Sequence, residues 1–179
     1  MPYRHALTIL AAAACLGAFP AAAQQNAQQN APGASGSFVD AQGREIGTAE
    51  LTGTPNGVLI RIDVEGLPPG QHGFHIHETG TCEPPEFTSA GGHYNPEGES
   101  HGFLTEGAHA GDLLNLTVPG DGALVHEALA SDASLDGENM LLDDDGSALV
   151  IHAGPDDYRT DPSGQSGARI ACAVVESRG

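Results

Sequence analysis

The chain reads as short apolar and polar runs that alternate with a period of two, separated by glycine and proline. The clearest run is 57–65, GVLIRIDVE. Val58, Ile60, Ile62 and Val64 fall on one side of an extended segment, and Leu59, Arg61 and Asp63 on the other. Similar runs at 37–41, 45–51, 112–118, 123–130, 147–152 and 168–176 bring the expected total to about eight strands with the run 73–77. Gln42-Gly43 predicts a turn between the first two. Pro119-Gly120-Asp121-Gly122 predicts a hairpin joining 112–118 to 123–130. No long segment carries a helical period. With 25 glycines and 12 prolines as punctuation, the pattern predicts an all-β sandwich or barrel. Two long loops interrupt it, 78–111 and 153–167.

The N-terminal part departs from this pattern. Residues 1–23 have a short polar start at Arg4-His5, an apolar stretch 6–18 and Ala21-Ala22-Ala23, the layout of a cleaved export signal. Lipid attachment at Cys15 is an alternative, weakened by the preceding Ala12-Ala13-Ala14, which lacks a leading leucine. The stretch 24–36 is polar and of low complexity, and is expected to form a disordered tail ahead of one domain at 37–179. Export implies a periplasmic or extracellular destination.

Loss of Cys15 with the signal leaves Cys82 and Cys172. In an exported protein an even pair reads as one disulfide. It would close a loop of about 90 residues, worth about 4–5 kcal/mol in the chain-entropy model. Two buried thiols or a thiolate metal ligand are the alternatives. The net charge of −18, with 24 acidic residues against six arginines and no lysine, argues against nucleic acid and against an anionic membrane surface as partners.

The chemistry concentrates in the histidines. His75 and His77 flank Ile76 in the run GFHIH. On a strand both rings leave one face, as a half-site for copper, zinc or iron or else as a pair of solvated surface histidines, while Phe74 and Ile76 enter the core. His93, His101 and His109 recur at intervals of eight, and Asp112 follows His109 by three. Three imidazoles and a carboxylate suit tetrahedral zinc, and an ion would order a loop too long to stand alone in a compact domain. His126 is expected to face solvent or a carboxylate, Asp143-Asp144-Asp145-Gly146 to form a solvated acidic turn, and Tyr94 and Phe103 to pack the loop.

Six pieces in order, HGFHIHE at 72–78, TSAGGHYNP at 88–96, His101, HAGDL at 109–113, LVIHAGPDD at 149–157 and GARIAC at 167–172, resemble the copper/zinc superoxide dismutases of exported bacterial type. The resemblance spans about 35–176. It implies an eight-stranded Greek-key flattened barrel, a relative of the immunoglobulin-like sandwich, with two long functional loops. It implies one copper and one zinc ion per subunit. Copper would be bound by His75, His77, His93 and His152, and zinc by His93, His101, His109 and Asp112, with the His93 ring shared. Asp156 would link ligands of the two ions, Arg169 would receive the anion, Cys82 and Cys172 would be bridged, and His72 would be structural.

The implied activity is conversion of two superoxide anions and two protons to O2 and hydrogen peroxide, with copper alternating between two oxidation states and His93 passing a proton. The resemblance leaves a homodimer open. A non-catalytic metal carrier and a zinc-stabilised structural module are the rival functions; the first usually lacks a copper ligand or the arginine, and the second leaves His75, His77 and His152 without purpose. The chain departs from the family in having Arg159 as the only cation of loop 153–167. Its overall charge should repel an anion, so turnover is expected to depend weakly on salt or to rise with it.

Overall fold

A computed structural model describes residues 32–178. Ten strands occur among them: β1 Gly33–Asp40, β2 Glu45–Thr54, β3 Gly57–Val64, β4 Gly70–His72, β5 Phe74–His77, β6 Leu116–Val118, β7 Leu124–Ala130, β8 Ala148–His152, β9 Arg169–Val174 and β10 Glu176–Ser177. The described residues contain no α-helix, and none crosses a membrane as a long apolar helix. The main sheet runs β5-β8-β9-β1-β2-β3-β7, with β10 also on β1, and β4 pairs β6 in a second small sheet. Every pairing between these strands is antiparallel. The crossovers and the curl of the large sheet give the expected all-β Greek-key barrel.

The alternation read in β3 is realised: Val58, Ile60, Ile62 and Val64 are buried while Leu59, Arg61 and Asp63 are exposed. They join Phe38, Leu51, Phe74, Ile76, Leu116, Leu149 and Ile151 in one core. Burying each large aliphatic side chain contributes roughly 1.5–3 kcal/mol. A smaller cluster of Phe87, Ala90, Ala148, Val150 and Cys172 lies beneath the segment that follows Cys82.

Three expectations need correction. The barrel starts at Gly33, so the tail expected at 24–36 overlaps β1 and the domain begins before 37. Gly36 explains why a Gly/Ser-rich stretch is a strand: a Cβ there would meet the Val174 carbonyl at 2.3 Å, so close approach rather than side-chain bulk sets the sequence. The leader at 1–23, Cys15 and the rest of the tail to residue 31 lie outside the described residues. Secondly, 112–118 and 123–130 do not form a hairpin. β6 pairs β4, and β7 pairs β3 through the full register Val58↔Ala130 to Val64↔Leu124. The intervening turn carries the chain from one sheet to the other, and the open edge of β3 captures β7. Thirdly, the strands number ten among the described residues, because Gly73 separates β4 from β5 and two C-terminal residues make β10.

The loop 78–111 is ordered by β5. The Ile76 amide donates to the Gly111 carbonyl (2.9 Å), and the Tyr94 amide donates to the Ile76 carbonyl (2.8 Å). Tyr94 and Gly111 are themselves tied, Gly111 N–H donating to Tyr94 O at 2.8 Å. A Cβ on Gly111 would stand 2.3 Å from the Ile76 carbonyl, so only glycine lets the chain pass so close. Isolated bridges His75↔Asp112 and His77↔His93 follow from this docking. The loop thus delivers its ligating side chains to the face that His75 and His77 share.

Candidate metal centre

Two groups of four side chains converge: His75, His77, His93 and His152, and His93, His101, His109 and Asp112. In each group the ligating atoms lie within 4.8 Å of one another, and all seven residues are buried. β5 supplies His75 and His77, the end of β8 supplies His152, the loop 78–111 supplies His93, His101 and His109, and Asp112 follows directly after it. His93 belongs to both groups. The structure therefore brings together every histidine and the aspartate singled out in the sequence as ligands.

The hydrogen bonds decide which nitrogen of each ring is free. His77 Nδ1–H donates to the Gly91 carbonyl (3.0 Å) and His152 Nδ1–H to the Gly167 carbonyl (3.2 Å). His75 Nε2–H donates to Asp156 Oδ2 at 2.6 Å. Each ring is left with one bare lone pair. Those atoms, His75 Nδ1, His77 Nε2 and His152 Nε2, together with His93 Nε2, are the buried side-chain nitrogens that have no hydrogen-bond partner among the described residues. Burying four unpaired polar atoms in one place costs several kcal/mol unless something coordinates them. An imidazole set of this kind fits copper or zinc.

The second group is tighter. Asp112 Oδ1 stands 2.8 Å from His93 Nδ1, 3.0 Å from His101 Nδ1 and 3.3 Å from His109 Nδ1. His93 Nδ1 and His109 Nδ1 are 3.4 Å apart. Four donors about 2.0–2.1 Å from a tetrahedral zinc would be roughly 3.3 Å from each other, so the spacing fits that ion. Asp112 Oδ2 is occupied by the amides of Gly102 (2.9 Å) and His109 (3.0 Å), which aims Oδ1 at the group.

Asp156 joins the two groups. Its Oδ2 accepts from His75, and its Oδ1 accepts from His101 Nε2 at 3.0 Å and from the Tyr158 amide at 2.6 Å. One carboxylate thus orients a ring in each group, the usual task of a residue just outside a metal's ligands. Asn115 locks it in place: the Asn115 side chain donates to the Asp156 carbonyl (2.9 Å) and accepts from the Asp156 amide (2.8 Å). Tyr158 completes the brace, its hydroxyl accepting from the Asn115 amide at 2.7 Å. Asn115 and Tyr158 carry no spacing signal by which the sequence would mark them.

Arg169 opens β9 opposite His152 in the register. Its guanidinium donates through Nη1 to the Phe87 carbonyl and through Nη2 to the Gly91 carbonyl, each at 2.5 Å. The Cys82–Cys172 disulfide is present and closes 90 residues, tying the segment before Phe87 to β9 three residues past Arg169. Together with His77, His93, His152 and Glu78, Arg169 lines an open cleft of about 490 Å³.

Other residues fall as follows. Both His72 ring nitrogens face carbonyls, His152 O at 2.7 Å and Pro68 O at 2.8 Å, which is a structural role. His126 is half-buried on the inward side of β7. Asp143 Oδ1 caps the Gly146 amide (2.9 Å) in the acidic turn. Tyr94 is buried, as expected of a packing residue, but Phe103 is 46 % exposed, with its ring beside that of Tyr158, so it is not a buried packing residue of the loop.

Burial dominates the titration of the first group. It pushes His77 down to about 2, with the His93 and Arg169 charges adding to it, and His152 to about 3, with His75 adding. His93 falls to about 4 because burial outweighs its bond to Asp112. His101 goes the other way: burial opposes its charge, but hydrogen bonds to Asp112 and Asp156 prevail and raise it to about 9. Despite their burial, both carboxylates are held well below the usual range, Asp112 by His101 and His93 and Asp156 by His101 and His75.

These directions give a pH test on the metal-free protein. Between pH 6.5 and about 4 the unfolded chain binds protons at His77, His93 and His152 that the folded chain refuses, so acid favours unfolding. His101 has the opposite sign. Its stabilising contribution is full below pH 6.5 and is lost as pH rises through about 9. The Tm of metal-free protein is therefore expected to fall by about 10 °C from pH 6.5 to 5. A Tm that stays level or rises in that window, measured by calorimetry, would show that the rings are not held neutral.

Fold and site together define a β-barrel protein with two adjoining groups of potential metal ligands that have His93 in common. Residues 45–175 match the family described as Copper/zinc superoxide dismutase (SODC). Superoxide dismutase [Cu-Zn] 2 of Aquifex aeolicus is 49% identical over 142 residues, covering 77% of this chain and 83% of that protein. Superoxide dismutase-like protein YojM of Bacillus subtilis is 46% identical over 143 residues, covering 77% and 73%. Among solved structures, a SOD-like protein from Bacillus subtilis superposes with a TM-score of 0.76 at 43% identity, covering 78% of this chain and 96% of that one. The Cu/Zn superoxide dismutase from Brucella abortus gives 0.68 at 30% identity, covering 80% and 99%. The chain belongs to the copper/zinc superoxide dismutase family.

Proposed function

We propose that the chain holds one copper ion among His75, His77, His93 and His152 and one zinc ion among His93, His101, His109 and Asp112, per subunit. The protein is a superoxide dismutase, an oxidoreductase that converts two superoxide anions and two protons into O2 and hydrogen peroxide. The observation that carries the ligand assignment is the convergence of four buried, partnerless imidazole nitrogens on one point beside Arg169.

Copper, when bound, supplies the one-electron exchange with each superoxide, and zinc, which has no redox chemistry, holds the site in shape. The chain's residues do the rest. Arg169 spends two of its five N–H groups on the Phe87 and Gly91 carbonyls, which fixes the guanidinium at the cleft and leaves the others for a small anion. Asp156 keeps the His75 proton on Nε2 and so keeps Nδ1 free. His93 Nδ1 faces Asp112, and its Nε2 is the atom that would hold and release one of the two protons of hydrogen peroxide, water supplying the other. Presence of all four copper-side histidines and Arg169 favours an enzyme over a carrier or a zinc-only module.

The leader-like N-terminus and the disulfide support export to the periplasm or beyond. The acidic surface favours a partner list without nucleic acid or anionic membrane. The direct test is a dismutase assay of metal-loaded protein beside the His75→Ala variant, with turnover expected in the first and lost in the second.

A further inference from the structure

We propose that Glu78 is a positioning residue for the active site, acting as a clamp on the Gly91–Gly92 turn. The Gly91 carbonyl has two jobs in this molecule. It accepts from His77 Nδ1 at 3.0 Å, which selects the ring tautomer with Nε2 bare, and it accepts from Arg169 Nη2 at 2.5 Å, which places the guanidinium. One peptide oxygen therefore sets both a ligating ring and the anion-receiving group.

That peptide lies on a loop and needs something to hold it. Glu78 follows His77 directly and grips the turn twice. Its amide donates to the Gly92 carbonyl (3.0 Å), and its Oε1 accepts from the Gly92 amide (2.8 Å). The side chain also packs against Gly91, where a Cβ would come within 2.7 Å of Glu78 Cγ and Oε1. Gly91 itself has φ +74, a left-handed conformation available to glycine at no steric cost. The backbone at residue 91 is thus soft by itself, and the flanking carboxylate restrains it. An exposed glutamate with no partner would be an ordinary solvated charge; a glutamate that closes a ring onto the turn carrying a shared carbonyl is different.

Glu78 also lines the cleft with Arg169, so its charge acts on any incoming anion. Two variants separate the roles. Glu78→Gln keeps an oxygen acceptor for the Gly92 amide and removes the charge. Glu78→Ala removes both. The catalytic consequence rests on the function proposed above, but the clamp is read on metal-free protein by NMR. In Glu78→Ala, hydrogen exchange of the Gly92 amide should quicken about tenfold, as expected for the loss of one modest hydrogen bond. The His77 ring nitrogens should also lose their single-tautomer shifts. Glu78→Gln should retain both signatures. In copper- and zinc-loaded protein the alanine variant should show altered Cu(II) EPR parameters and a several-fold lower kcat/KM, with both restored by glutamine. An alanine variant indistinguishable from wild type in Gly92 exchange and His77 tautomer would overturn the clamp, as would a glutamine variant no better than alanine. If the dismutase reading alone were at fault, the metal-free signals would still respond.

Discussion

Replacing His75 by Ala is expected to abolish dismutase turnover, lowering kcat/KM by at least about a thousandfold, the scale lost when a group essential to transition-state chemistry is removed. His75 is fully buried on β5, so no other side chain can move in to replace its Nδ1. The variant also frees Asp156 Oδ2, which His75 Nε2 holds at 2.6 Å. Asp156 keeps its bonds to His101, Tyr158 and, through its backbone, Asn115. Zinc affinity should therefore fall by no more than about tenfold, within the range for disturbing an outer partner. The signature is selective: loss of copper and activity with zinc retained. Metal analysis after reconstitution, together with the assay, checks it. Equal activity in variant and wild type would defeat the catalytic assignment.

Opening the Cys82–Cys172 bridge, by reduction or by Cys82→Ser with Cys172→Ser, is the second large expected effect. The loop closed spans 90 residues, and freeing it in the unfolded chain is worth about 4–5 kcal/mol. At a few degrees per kcal/mol for a domain of this size, Tm should drop by about 10–15 °C. The bridge also has a local task. Cys82 precedes the segment that presents the Phe87 and Gly91 carbonyls, and Cys172 stands on β9 with Arg169. Turnover should fall along with Tm, while the metals stay bound, because no ligand lies on the released segment between Cys82 and Gly91. Thermal scans and metal content before and after reduction test both parts. A reduced protein of unchanged Tm and rate would contradict them.

Much of this was legible in the residue pattern, for identifiable reasons. β3 could be read because one of its faces is wholly apolar and the other polar. Two groups of ligands could be read from spacing, His75 and His77 by their alternation in β5 and His93, His101, His109 and Asp112 by their regular intervals, whereas His152 came only with the family resemblance. The order of the strands in the sheet was not legible. Pro119–Gly122 turns the chain as expected, but whether β6 and β7 then pair depends on which sheet edges are free, and that is settled by the closure of the whole barrel. Hydropathy does not show where β1 begins, because Gly36 and its small neighbours meet β9 by close approach rather than by apolar bulk. The brace of Asn115 and Tyr158 behind Asp156 was also hidden. Its members are 41 and 43 residues apart from Asn115 to Asp156 and Tyr158, so they become neighbours only after folding.

The centre stands or falls on whether one ring joins two ions. Anomalous diffraction at the copper and zinc edges, on crystals of reconstituted protein, answers this directly. Both metals are expected at the ring of His93, copper on the side of His75, His77 and His152 and zinc on the side of His101, His109 and Asp112. A single ion at residue 93, or two ions neither of which is bridged by that ring, would contradict it.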